Sequence, residues 1–173
     1  MNKKLVCIVM GSDSDLKSMQ EASKVLKEFG VPHEITVNSA HRSPDLLTTY
    51  VHQSEKNGTK VFIAGAGGAA HLAGVVASLT TIPVIGVPIR AKSLDGLDSL
   101  LSMVQMPQGV PVATVAIDGA FNAGLLAIQI LALSDEKLHN QLRTYKENLS
   151  SKVKEKAEKL ERMGIDAYIA SMK

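Results

Sequence analysis

Lys60-Val61-Phe62-Ile63-Ala64 is an apolar run that leads into Gly65-Ala66-Gly67-Gly68-Ala69-Ala70-His71. The apolar residues do not alternate with polar ones, as they would in a strand with one wet face, so this strand is expected to be covered on both faces. A short helix of small residues follows, giving the unit strand, glycine-rich loop, helix. The same unit recurs on either side. Leu5-Val6-Cys7-Ile8-Val9-Met10 is a second apolar run, closed by Gly11-Ser12-Asp13-Ser14-Asp15. Leu16, Met19, Ala22, Leu26 and Phe29 then recur at helical spacing until Gly30 and Pro32. Glu34-Ile35-Thr36-Val37 is extended and opens into Ser39-Ala40-His41-Arg42-Ser43-Pro44-Asp45. Ser43 reads as an N-cap, Pro44 as the first helical residue and Asp45 as a first-turn acid, and this helix ends near Asn57-Gly58.

Downstream, Pro83-Val84-Ile85-Gly86-Val87-Pro88 reads as a fourth strand and Val112-Ala113-Thr114-Val115-Ala116-Ile117 as a fifth, with a helix from Gly96 to Val104 between them. The helix from Asn122 to Leu133 is apolar nearly all round and is expected to be buried on more than one side. Strands alternating with helices require a parallel sheet. The predicted fold is an α/β, three-layer α/β/α sandwich, flavodoxin-like, with a five-stranded parallel sheet and a long C-terminal helix. Ser134 is read as the cap of that helix, with Asp135 and Glu136 in its first turn and Gly164 at its end. Its stripe of Leu138, Leu142, Tyr145, Leu149, Val153, Ala157 and Leu160 is set among Lys and Glu. The expected division is a single α/β catalytic domain over residues 1–134 and a helical extension over 135–173, packing on the same or a neighbouring subunit.

Composition narrows the function. Nineteen Lys and Arg against seventeen Asp and Glu, mixed along the chain, leave no footprint for nucleic acid. With no Trp, three Tyr and three Phe there is no platform for stacked bases. Cys7, the one cysteine, lies inside an apolar strand and reads as a buried structural thiol. No signal peptide precedes the first strand and no apolar run reaches the ~18 residues of a membrane span, so a cytoplasmic protein without membrane contact is expected.

Three loops leave the carboxyl ends of strands, the edge where open α/β sheets bind ligands. Ser12 and Ser14 in the first, beside free helix N–H groups, suit a phosphate, although Ser and Asp are also good caps; Asp13 and Asp15 would repel a phosphate, and a ribose diol suits at least one of them better. In the second, Arg42 beside a helix start is a natural anion clamp, and His41 is a candidate for proton transfer, although a histidine on a loop is more often just a solvated side chain. His33, His52 and His139 fit ordinary strand and helix positions. The third loop, from Gly65 to His71, is almost without side chains, which admits a flat ligand to the backbone or, equally, close packing of helix on sheet. It lacks the full dinucleotide fingerprint. No histidine pair has metal-ligand spacing, and no serine-nucleophile elbow is present.

Met10-Gly11-Ser12-Asp13-Ser14-Asp15, Ser39-Ala40-His41-Arg42-Ser43-Pro44, Ala64-Gly65-Ala66-Gly67-Gly68-Ala69-Ala70-His71-Leu72 and Gln105-Met106-Pro107-Gln108-Gly109 together resemble the N5-carboxyaminoimidazole ribonucleotide mutase family of purine biosynthesis. The likeness runs in order from the first strand to about Leu133. It implies His41 as the catalytic histidine. It implies Ser14, Ser39 and Arg42 at the phosphate with Ser12 beside them, and Asp15 on the ribose hydroxyls. Gly65, Ala66, Gly67, His71 and Leu72 would border the imidazole and its carboxylate. It further implies a homo-octamer with sites near subunit contacts, no metal and no organic cofactor. The substrate would come from an ATP-dependent N5-carboxyaminoimidazole ribonucleotide synthetase. A related branch carboxylates aminoimidazole ribonucleotide directly with CO2; Arg42 and the Gly67-to-His71 stretch side with the mutase. The sequence departs from the pattern at Ala73, at Arg90 and in a shortened turn over Asp118-Gly119-Ala120-Phe121-Asn122, and it extends past the common core after Ser150. Outside enzymes, a ribonucleotide-binding regulatory domain is not distinguished by spacing alone. A phospho-receiver does not, because the third strand ends in Ala64-Gly65 and not in aspartate.

Overall fold

The computed structural model describes residues 3–172. Two compact units divide at Leu131 and Ala132. The first carries the sheet, in the order β2-β1-β3-β4-β5, all parallel. Its strands are β1 (Val6–Met10), β2 (His33–Val37), β3 (Val61–Gly67), β4 (Val84–Ile89) and β5 (Ala113–Thr114). The crossovers are the helices α1 (Leu16–Glu28), α2 (Pro44–Lys56), α3 (Leu72–Leu79) and α4 (Leu97–Val104), and α5 (Ala120–Ala132) follows β5. This is the flavodoxin-like order, in which the chain winds outward in both directions from β1, so that β1 and β3 flank the switch point. Register sets Met10 beside Val37 and Gly65, and Gly67 beside Ile89. The carboxyl ends of four strands therefore share one edge.

The sheet is buried on both faces, as its unbroken apolar runs require. On one face Cys7, Val9, Phe62 and Ala64 pack with Leu47 and Val51 of α2 and Val76 of α3. On the other, a Cβ at Gly124 of α5 would run into Val25 of α1, so these helices touch through a glycine. At the amino end of the sheet the Cys7 thiol lies 3.2 Å from Thr59 Oγ1, while Tyr50 and Cys7 both point a hydrogen at Glu34 Oε1 (2.7 and 3.5 Å). Burial pushes the Cys7 thiol up, which makes it the inert structural thiol expected.

Local expectations are corrected at the fifth strand, at the start of the long helix and in α5, while Ser43 holds its expected cap position. The fifth strand, expected over 112–117, pairs only at Ala113 and Thr114. Val115 and Asp118 still donate to Gly86 O and Pro88 O (3.0 and 2.8 Å), but Pro88 has no N–H to return and Asp118 turns at φ 56°. Ser43 does occupy the N-cap of α2, but its hydroxyl makes no cap bond; it donates back to Ser39 O at 3.1 Å and closes the turn. The long helix α6 (Glu136–Met163) is capped by Asp135, which accepts the Leu138 N–H at 3.1 Å, and not by Ser134. In this second unit Gly164 does end α6, and α7 (Ile165–Ala170) follows. Leu138 is buried, whereas Leu149, Val153 and Leu160 of the same stripe are exposed. α5 buries Ala120, Ala123, Ala127 and Ile128, but Asn122 and Gln129 reach solvent, so it is covered less completely than its composition suggests. No helix among the described residues is long and apolar enough to cross a membrane.

Candidate active site

The four strand ends enclose a cleft of about 600 Å³. Its walls are the loop after β1, the turn after β2, the end of β3 and the end of β4. Each wall owes its shape to a short sequence device.

After β1, Asp13–Asp15 forms one 3-10 turn with Ser12 as N-cap. The Ser12 hydroxyl accepts the Ser14 N–H (3.3 Å), and Asp15 Oδ2 accepts the Ser12 N–H (3.2 Å), a reciprocal capping box. Ser14 Oγ donates to Ser12 Oγ at 2.9 Å. The Ser-Asp motif is thus both a cap and a row of hydroxyls on the cleft. Asp15 is only 7% exposed. Burial pushes its carboxyl up, opposed by the Ser12 N–H, the Ser14 hydroxyl and the Arg42 charge, while Asp13 adds to the rise. The folded state therefore holds the Asp15 proton more tightly than the unfolded chain does. Stability falls as pH rises from the ordinary carboxylate range through the raised folded value, and the cost persists at neutral pH. Asp15→Asn is expected to raise Tm at pH 7 by a few degrees, since ~1 kcal/mol moves a chain of this size by about 2–4 °C. Below pH 3 the gain should vanish. Thermal melts at the two pH values check this, and a gain of equal size at both would remove the assignment to the buried charge.

After β2, Ser39 Oγ accepts from both Arg42 N and Arg42 Nε (3.3 Å each), and Arg42 Nη2 donates to Gly11 O at 2.9 Å. The guanidinium therefore spans from the second loop to the first. Beside it, His41 Nε2 lies 3.0 Å from Nδ1 of His71, with the rings edge to face at 88°. A hydrogen bond between two ring nitrogens needs one N–H and one lone pair. The pair shares one hydrogen there and loses the bond if both rings become cations.

The end of β3 divides the glycines by role. Gly65 sits within the sheet, and a Cβ there would overlap Met19 of α1, so it serves packing and is not part of the cleft wall. Ala66, Gly67, Gly68 and Ala69 do form that wall. Gly68 has φ 65° with nothing within 4 Å of its missing Cβ, so it needs glycine for conformation alone. Leu72 lines the cleft, whereas His71 reaches it through His41.

The cleft thus collects Ser12, Ser14, Asp15, Ser39, His41, Arg42, Ala66, Gly67 and Leu72 of the expected residues, with His71 behind His41 and Gly65 outside. The fourth wall, Ile89 to Ala91, was not assigned to the site from the sequence, where Arg90 and the Asp118 turn stood only as departures from the family pattern; Asp118 and Ser99 support it. Arg90 pairs with Asp118 Oδ2 through Nε at 3.4 Å, and Asp118 Oδ1 also accepts the Ser18 hydroxyl at 3.0 Å. Ser99 is the other. Arg90 at a strand's carboxyl end was a readable signal; Ser99, inside a helix, gave none. Among the described residues no group of three or more His, Cys, Asp and Glu could hold a metal ion.

Known proteins share this sequence and architecture. The AIR carboxylase family matches residues 5–152. An N5-carboxyaminoimidazole ribonucleotide mutase of Pyrococcus horikoshii is 58% identical over 97% of this chain and 95% of its own. A chloroplastic phosphoribosylaminoimidazole carboxylase of Vigna aconitifolia is 52% identical over 95% of this chain, but the match spans 30% of that longer protein. Among solved structures, Treponema denticola PurE superposes with a TM-score of 0.83 at 30% identity, over 90% of this chain and 97% of its own. A match over most of the chain, by family model and by relatives above half identity, makes this chain a member of the AIR carboxylase family.

Proposed function

We propose that the chain is an N5-carboxyaminoimidazole ribonucleotide mutase, interconverting that carbamate and 4-carboxy-5-aminoimidazole ribonucleotide in de novo purine biosynthesis. The observation that carries the reading is the content of one cleft: an imidazole, an arginine–serine cradle and a wall without side chains. The substrate carries CO2 as a carbamate on its exocyclic nitrogen. Breaking the N–C bond returns the electron pair to nitrogen, which takes a proton, and releases CO2. The electron-rich ring then attacks CO2 through C4, and the C4 proton leaves. One proton is delivered and one removed, so a single imidazole that both donates and accepts serves both steps, and His41 has that chemistry. Arg42, Ser12, Ser14 and Ser39 hold the phosphate, Asp15 the ribose hydroxyls. This remote binding orients the ring against His41. The Ala66–Ala69 wall, with Leu72, keeps water from the CO2.

A homo-octamer in the cytoplasm belongs to the same reading. Leu97, Leu101 and Val104 are exposed on one stripe of α4, which supports self-association. The carbamate must be supplied by an ATP-dependent synthetase, because joining bicarbonate to an amine is uphill without activation. The end-to-end match to a protein named as the mutase, at 58% identity, supports the rearrangement. The test presents both substrates in CO2-depleted buffer. The carbamate should be converted at full rate and aminoimidazole ribonucleotide left unchanged; carboxylation that depends on added bicarbonate would overturn the assignment.

A further inference from the structure

Ser99 lies within α4 and is fully buried. A serine inside a helix ordinarily bonds the carbonyl four residues back or faces solvent. Ser102 on the same helix does so, donating to Asp98 O at 2.7 Å. Ser99 instead joins two walls of the cleft. Its hydroxyl donates to Ile89 O at 2.8 Å and accepts the Gly68 N–H at 2.9 Å. Ile89 is the last residue of β4 and is in register with Gly67, so one oxygen bridges the tips of adjacent strands after their own ladder has ended. Gly68 carries the positive φ that turns the small-residue wall. Neither strand can supply these two bonds once the chains diverge.

We infer that Ser99 is a positioning residue for the cleft: through one hydroxyl it fixes the Gly67–Ala69 wall against the Ile89–Ala91 wall. This rests on the mutase reading, in which the former wall faces the ring and its CO2. The phosphate cradle lies on the loops after β1 and β2 and is not touched by Ser99. Losing the hydroxyl therefore loosens the ring end and leaves the anchoring end intact. A displacement of about 1 Å in a reacting geometry can lower a rate by about 100-fold.

The test compares the full chain with Ser99→Ala and Ser99→Thr. Ser99→Ala is expected to lower kcat about 10- to 100-fold with KM changed less than about threefold. Ser99→Thr, which keeps the hydroxyl, is expected to recover most of the loss. Amide hydrogen exchange gives a readout that does not need turnover. The Gly68 amide should exchange at least about tenfold faster in Ser99→Ala, while the Ile8 and Ile63 amides of the central strands stay protected. Unchanged kcat, unchanged Gly68 protection, or equal acceleration at Gly68, Ile8 and Ile63 would overturn the positioning role. A wild-type chain inactive on both ribonucleotides overturns the mutase reading instead, and the Gly68 exchange comparison then decides the role of Ser99 on its own.

Discussion

His41→Asn is expected to lower kcat by about 10⁴-fold, the upper end for a group that transfers protons, with folding and substrate affinity nearly unchanged. In the proposed mechanism both proton transfers fall to one imidazole, so losing it should stop both directions of the reaction together. Asparagine keeps a polar side chain at this position but ends short of the His41 Nε2 that meets His71 Nδ1 at 3.0 Å. It cannot exchange a proton near neutral pH. His41 is exposed and its ring meets His71 edge to face at the surface, so the change in stability should stay within about 0.5 kcal/mol. The phosphate and ribose contacts assigned to other residues remain, so product titration should give a Kd close to that of the wild type. Single-turnover assays in both directions, a thermal melt and that titration check the three parts. Turnover within tenfold of the wild type would move the proton to another group, with His71 the next to examine. A joint loss of binding and turnover would mean that His41 shapes the site and does not act in it.

How much of this is legible in the sequence differs from element to element. The apolar runs at Val6–Met10 and Val61–Ala64 could be read because central parallel strands are covered on both faces, and burial then leaves no alternation to decode. β5 was overextended because apolar composition reports burial, whereas strand pairing ends where Pro88 lacks a donor and Asp118 takes a positive φ, both set by the neighbouring strand and the turn. The caps at Ser43 and Asp135 were placed to within one residue; which oxygen accepts depends on backbone angles that composition does not carry. In the cleft, His41 and Arg42 stood out by residue type at a strand end. The Gly65-to-Gly68 stretch did not sort itself, because Gly65 is required by Met19 of a different element and Gly68 by its own φ, and glycine looks alike in both cases. The partnership of His41 with His71 spans thirty residues and exists only because β2 and β3 both flank β1. Ser99 was beyond reach for the same reason: its two partners belong to other strands' ends.

Arg42→Gln is expected to raise KM about 10- to 150-fold, with the main loss in binding. Two of the guanidinium's five N–H donors are occupied in the free protein, one by Ser39 Oγ and one by Gly11 O, which fixes the fork across the mouth of two loops. Three donors remain for an anion, held in place without further ordering. Charge-assisted bonds of this kind are worth about 1.5–3 kcal/mol, which converts to that range at 1.36 kcal/mol per decade. Arg42→Lys should fall between the two, since it restores the charge but not the planar fork, and cannot reach Ser39, Gly11 and a phosphate at once. Inorganic phosphate as a competitive inhibitor separates the phosphate contact from everything that happens at the ring: its Ki should rise by a similar factor in Arg42→Gln. The dependence of KM on ionic strength should flatten in that variant, because the screened charge is gone. Loss of the Gly11 and Ser39 contacts also frees the first loop, so some fall in kcat is expected alongside; it should be smaller than the rise in KM, because the His41–His71 pair does not depend on the arginine. A collapse of kcat at constant KM and constant phosphate Ki would instead put Arg42 at the reacting ring with His41. The Ser12–Ser14 hydroxyls, which face the same cleft from the helix start after β1, would then have to hold the phosphate without it.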